Sequence, residues 1–200
     1  MIAPLIEAGP EPRSRMKQGA VTCLVTVLLV FGTATAASWG EIDPDLERSV
    51  KAAFLYKFLG FVEWPAGLMR ATEGPVIIGV VGADEIVAEL EQILPGRHID
   101  DRPVAVRKVQ PSDSLVDVHL LFVGRAGERM LPGLAREAHR QSVLTVCESS
   151  RAVKSRCAIN FVILDGRVRF EVSQEAAERS GLRLSSRLMA VALNAETSRP

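Results

Sequence analysis

The sequence predicts an α/β fold: a single three-layer domain with a mostly parallel sheet, helices on both faces and a C-terminal antiparallel hairpin. Three observations carry this. Two continuous apolar runs, VIIGVV at 76–81 and VDVHLLFVG at 116–124, have the composition of strands buried on both faces. Helix-type segments follow each of them, which gives the alternation of a parallel sheet. Finally, Asp165-Gly166 separates two strand-like runs, AINFVIL and RVRFEV, and such a pair is the strongest short hairpin signal.

The elements follow in order. Arg13, Arg15 and Lys17 precede the uncharged run AVTCLVTVLLVF and then the small-residue stretch GTATAAS. A basic start, an apolar middle and an Ala-x-Ala site at Ala34 and Ala36 predict a cleaved secretory signal peptide over 1–37. The basic start is long, so Met16 competes with Met1 as the first residue. The apolar part is too short for a comfortable membrane anchor. Residues 38–45 read as a leader, 46–194 as the domain and 195–200 as a flexible tail.

Asp43-Pro44-Asp45 opens a helix, with an Asp cap, a proline in the first turn and acids at the positive end of the helix dipole. The helix is expected to run to about Val62, because Pro65 disfavours helical backbone at Trp64. Val50, Phe54, Phe58 and Phe61 form one apolar stripe and Ala52, Leu55, Leu59 and Val62 a second. So wide an apolar surface implies core packing, with polar contacts left mainly to Glu47, Arg48, Lys51, Lys57 and Glu63. After VIIGVV, Gly82 makes a turn, Asp84 is a cap candidate, and EIVAELEQIL carries Ile86, Leu90, Ile93 and Leu94 on one side. RPVAVRKV alternates as a strand. A helix from about Glu128 to His139 precedes the strand SVLTVC. Two short helices, around Gln174–Arg179 and Ser185–Asn194, close the chain.

Basic and acidic residues balance at 24 each, and no run of like charge suggests a nucleic-acid partner. His98, His119 and His139 fall in a loop, a strand and a helix end without metal-ligand spacing. His119, inside an apolar strand, reads as a satisfied core histidine. GVVGADE lacks the glycine spacing of a dinucleotide turn, and Asp84 would repel a phosphate, so it reads as a plain strand-to-helix turn. The serines lack a nucleophile-elbow context, and no cofactor is called for. A hydrolase is therefore disfavoured and the protein is expected not to be an enzyme. After loss of Cys23 with the signal peptide, Cys147 and Cys157 remain, one ending a strand and the other opening the next. Export favours a disulfide between them, closing a loop worth about 2–3 kcal/mol; the alternative is two unrelated buried thiols.

The wording of four segments adds to this. VKAAFLYKFLGFVEWP, IIGVVGADEIVAEL, VHLLFVG with VLTVCE, and RVRFEVSQEAAERSGLRLSSRLMAVA occur in the order found in the YfiR family, and the chain resembles that family from about Ser49 to Ala192. Two departures stand out. Cys147-Glu148 and Arg156-Cys157 replace the family's Ser-Asp pair and double glycine, and Ser173 stands where Asn is common. The resemblance implies a periplasmic signalling protein that holds the sensor domain of an inner-membrane diguanylate cyclase inactive, so controlling cyclic di-GMP and biofilm formation. It also implies release by an outer-membrane lipoprotein or by stress, and a capacity to form homodimers. The rival expectation is a periplasmic small-molecule-binding protein serving transport or sensing, with its pocket above the carboxyl edge of the sheet. For partner binding, the candidates are Glu63, Trp64 and Pro65 at the end of the aromatic helix, with Arg169, Arg183 and Arg187 of the last segment.

Overall fold

A seven-stranded mixed sheet organises the computed structural model, which describes residues 42–65, 74–110, 112–149 and 156–193. These residues belong to one compact unit, Gly40–Pro200. The expected signal peptide, Cys23, the first half of the leader and the tail lie outside the described residues.

The chain runs α1 (Pro44–Leu59), β1 (Val62–Glu63), β2 (Val76–Val81), α2 (Asp84–Ile93), β3 (His98–Ile99) and β4 (Arg102–Lys108). It continues through β5 (Val118–Val123), a 3-10 turn (Arg125–Met130), α3 (Leu131–Arg140), β6 (Leu144–Cys147), β7 (Ile159–Leu164) and β8 (Arg167–Val172). The last elements are α4 (Gln174–Arg179), β9 (Arg183–Leu184) and α5 (Ser186–Val191). Sheet order is β3-β4-β2-β5-β6-β7-β8. Strands β4, β2, β5, β6 and β7 are parallel, while β8 folds back antiparallel on β7 and β3 on β4. The α/β architecture and the C-terminal hairpin are therefore as the sequence predicts. At the hairpin both Asp165 and Gly166 have positive φ, 50° and 63°, the mirror-image turn whose twist suits two antiparallel strands.

Side chains alternate through the central strands into two cores. Ile78, Val80, Leu120, Phe122, Leu144 and Val146 pack toward α1 and α2, joined by Ala52, Leu55, Phe58, Ile86 and Leu90. Val81, Leu121 and Val123 face the other way, onto Leu131, Leu134 and Ala138 of α3. The aromatic stripe of α1 is core. The Phe58 ring lies 5.1 Å from Phe170, 5.8 Å from Phe161 and 5.8 Å from Phe54, and Phe161 in turn reaches Phe122 at 6.0 Å. Such ring pairs add about 0.5–1.5 kcal/mol each beyond their buried area.

Several boundaries differ from the sequence expectation for physical reasons. Helix α1 starts as expected, with the Asp45 N–H donating to Asp43 Oδ1 at 2.9 Å, but it stops at Leu59 instead of Val62. Val62 and Glu63 leave the helix to pair with Leu184 and Arg183 in a small second sheet. Asp84 is the first residue of α2 and not its cap; it bonds Lys108 across the strand end at 2.6 Å. The helix expected from Glu128 begins as a 3-10 turn at Arg125 and becomes α-helical only at Leu131, where Pro132 suits a first turn. Ser173 caps α4 by accepting from the Ala176 N–H at 3.2 Å.

His119 is a core histidine, 3% exposed. The β2–β5 register shifts from Ile77↔Val118 to Ile78↔Leu120, which leaves His119 as the extra residue of a bulge. Its ring repairs the ladder, because Nδ1 accepts the Ile77 N–H at 3.1 Å. Nε2 lies 3.3 Å from an Arg102 guanidinium nitrogen. Burial, and then the Arg102 charge, hold this imidazole below its ordinary pKa against a smaller opposing pull from Asp117.

Candidate functional site

In an open α/β sheet the crevice at the carboxyl ends, where strand order reverses, is the usual ligand position. Here that point lies between β2 and β5, and it is filled by backbone. Gly82 has φ +67°, and a Cβ there would fall on the backbone of Gly127, 2.8 Å from its Cα. A Cβ on Gly124 would lie 2.6 Å from the Gly82 carbonyl oxygen. Only glycine lets the two turns approach so closely. The reading of GVVGADE as a structural turn is consistent with this contact.

The open space lies beside that contact, over the end of β6. Two adjoining cavities of about 440 Å³ each share Lys51, Arg125 and Glu148. Lys51 projects from α1, Arg125 from the 3-10 turn and Glu148 from the residue after β6. Phe161, Val162 and Ile163 form an apolar wall. Lys51 is only 5% exposed. Its Nζ bonds both Glu47, one turn earlier, and Glu148, while the other Glu148 oxygen accepts the Arg125 N–H at 3.3 Å. Two carboxylates thus share one buried ammonium, and the network ties α1 to the end of β6. The groove is polar and charged on one side and apolar on the other, an arrangement able to orient a small polar molecule.

The disulfide adjoins this groove. Cys147 ends β6 next to Glu148, and it is bridged to Cys157 with a Cα–Cα separation of 6.1 Å. Beneath it, buried Asn160 accepts the Ser149 N–H at 3.0 Å, and Thr145 accepts the Ala158 N–H at 3.1 Å. These bonds set the backbone on both sides of the bridge.

Of the residues singled out for partner binding, four come together. Glu63 and Arg183 face each other in the β1–β9 ladder, with Arg183 Nε 3.9 Å from Glu63 Oε2. Both side chains are largely exposed, at 71% and 84%, so this ion pair contributes little to stability. Trp64 follows, half-buried against the core, and its sheltered indole N–H has no partner among the described residues. Pro65 reaches the turn at Gly181. Arg187 is exposed in the first turn of α5, a helix capped where Ser185 accepts the Leu188 N–H. Arg169 stands elsewhere, on the solvent side of β8 opposite Val162.

Lys51, Glu47 and Glu148 escaped sequence reasoning. The Glu47–Lys51 spacing alone is that of an ordinary i,i+4 helix pair and does not point to Glu148. Among the described residues no group of three or more His, Cys, Asp or Glu could hold a metal ion. Nor is any described helix long and apolar enough to cross a membrane.

No curated protein matches the chain. A family model described as YfiR/HmsC-like matches residues 48–193, from within α1 to just past α5. The match takes in both cores, the Lys51 network, the disulfide and the β1–β9 pair, and the chain belongs to the YfiR/HmsC-like family.

Proposed function

We propose that the protein is a periplasmic regulatory binding protein that represses a membrane-bound diguanylate cyclase and so controls cyclic di-GMP signalling and biofilm formation. The observation that carries this reading is family membership over 48–193, since the resemblance set out above implies regulators of this kind. The signal-like N-terminal sequence supports export. Repression requires tighter binding to the inactive state of the cyclase than to its active state. A differential of about 3–5 kcal/mol moves a two-state equilibrium from mostly active to mostly inactive. The surface offered for this is the exposed ladder of Glu63 and Arg183 with Trp64, Pro65 and Arg187 beside it. An outer-membrane lipoprotein competing for the same surface would release the cyclase. Deleting the gene should raise cellular cyclic di-GMP, and re-expression of the exported protein should restore it. An unchanged level in the deletion strain refutes the reading.

The Lys51 groove favours a second reading, a periplasmic binding protein for a small polar molecule in transport or sensing. Screening the purified protein by thermal shift against small polar metabolites, without any membrane partner, separates the two. A specific stabilisation would favour the second.

A further inference from the structure

Six large hydrophobic side chains are exposed among the described residues, and four of them belong to two neighbouring segments: Ile163 and Leu164 at the end of β7, Val191 and Leu193 at the end of α5. A groove of about 560 Å³ lies between β8 and this end of α5, where Leu164, Val191 and Leu193 stand among the polar side chains of Asp165, Arg167 and Arg169. β8 is the last strand of the sheet and pairs only with β7 among the described strands. Along it, Arg167 and Arg169 sit two residues apart on the exposed face, and both line the groove. On the helix side Ala190 is small and exposed.

An edge strand beside a helix, with apolar and charged side chains between them, is a geometry in which an extended peptide can add to a sheet. Alternate residues of an added strand point to one side, so charges at every second position of the guest would meet Arg167 and Arg169. We propose that this groove binds an extended segment of a partner protein, apolar and acidic at alternating positions, which pairs with β8 from Arg167 to Phe170. The inference rests on the reading of the protein as a regulator that works by binding a partner. It assigns Arg169 to a surface distinct from the Glu63–Arg183 ladder. The competing account is that the arginines merely guard an exposed edge against aggregation.

The exported, oxidised protein, isotopically labelled, is titrated with a capped heptapeptide alternating glutamate and valine, and separately with its lysine–valine counterpart. Amide shifts should be confined to Arg167–Phe170 and Ala190–Leu193 for the acidic peptide, with no response to the basic one. R167E/R169E should weaken binding about tenfold or more, and V191S should weaken it without changing charge. No binding, equal binding of both peptides, shifts mapping elsewhere, or a dimer that excludes the peptide would each overturn the proposal. In cells, R167E/R169E with wild-type thermal stability should raise cyclic di-GMP as the deletion does. A deletion that raises cyclic di-GMP beside a double variant that still represses would sink this surface and leave the regulatory reading standing. A deletion without effect, beside peptide binding as expected, would sink the regulatory reading alone.

Discussion

Replacing Lys51 by methionine keeps most of the apolar stem and deletes the ammonium that Glu47 and Glu148 share. The three side chains are 6%, 20% and 12% exposed, so water screens the resulting imbalance poorly. Removing one member of a buried ion network costs about 3–5 kcal/mol, because the charges left behind are unpaired. Glu148 keeps the Arg125 N–H, and Glu47 is the most exposed of the three, which argues for the lower end, about 3 kcal/mol. Glu148→Gln leaves Lys51 paired with Glu47 and should cost only about 1–2 kcal/mol. Converting all three residues to apolar side chains of similar volume should return stability to within about 1–2 kcal/mol of wild type. The assay is urea unfolding of the exported, oxidised protein at neutral pH. For a domain of this size a 3 kcal/mol loss should lower the midpoint by about 1 M or more and the melting temperature by about 6–12 °C. If K51M unfolds within about 1 kcal/mol of wild type, or if molar salt abolishes the difference, the network is an ordinary screened surface pair. The account of the groove's charged wall would then be wrong.

Three further outcomes follow from the same structure. His119 is neutral in the fold with a lowered pKa, so below about pH 6.5 the unfolded chain binds a proton that the native state refuses. Stability should therefore be full above that pH and fall with acidification until the folded-state pKa is passed; a melting curve in His119→Gln with the same slope would remove the assignment. The double variant C147S/C157S should lose about 2–3 kcal/mol in chemical denaturation, the loop-closure value for a bridge spanning ten positions, and free thiols in the exported protein would contradict the bridge. Gly82→Ala forces a Cβ onto the backbone of Gly127 at a positive φ and should cost about 2 kcal/mol or more; a variant as stable as wild type would show that the two turns are free to separate.

The parts of the fold legible in the sequence are those that local chemistry decides. Asp43 and Pro44 start α1, Asp165-Gly166 turns the hairpin, and apolar runs at 76–81 and 116–124 make strands buried on both faces; each depends on neighbours within a few residues. What escaped depends on partners far along the chain. Helix α1 ends early because Val62 finds Leu184, and Lys51 is buried because the sheet order brings Glu148, 97 residues away, over its helix. The bulge at His119 is a property of register, which a single strand's pattern does not carry.

The candidate site divides along the same line. Glu63 and Arg183 were chosen for unrelated reasons, one as the end of an aromatic helix and the other as a basic residue of the last segment, and a two-residue ladder joins them. Arg169 was grouped with them by sequence proximity to Arg183, yet alternation along β8 turns it outward beside Val191 instead. The stretches that carry the family resemblance reach into the core: their Phe54, Phe58, Phe122 and Phe170 meet in one ring cluster around Phe161. Packing therefore accounts for most of what marks the family in this chain. A test of function gains most from residues that the cores leave exposed, Glu63, Arg167, Arg169, Arg183 and Val191, since substitutions there separate binding from folding in a way that the aromatic residues cannot.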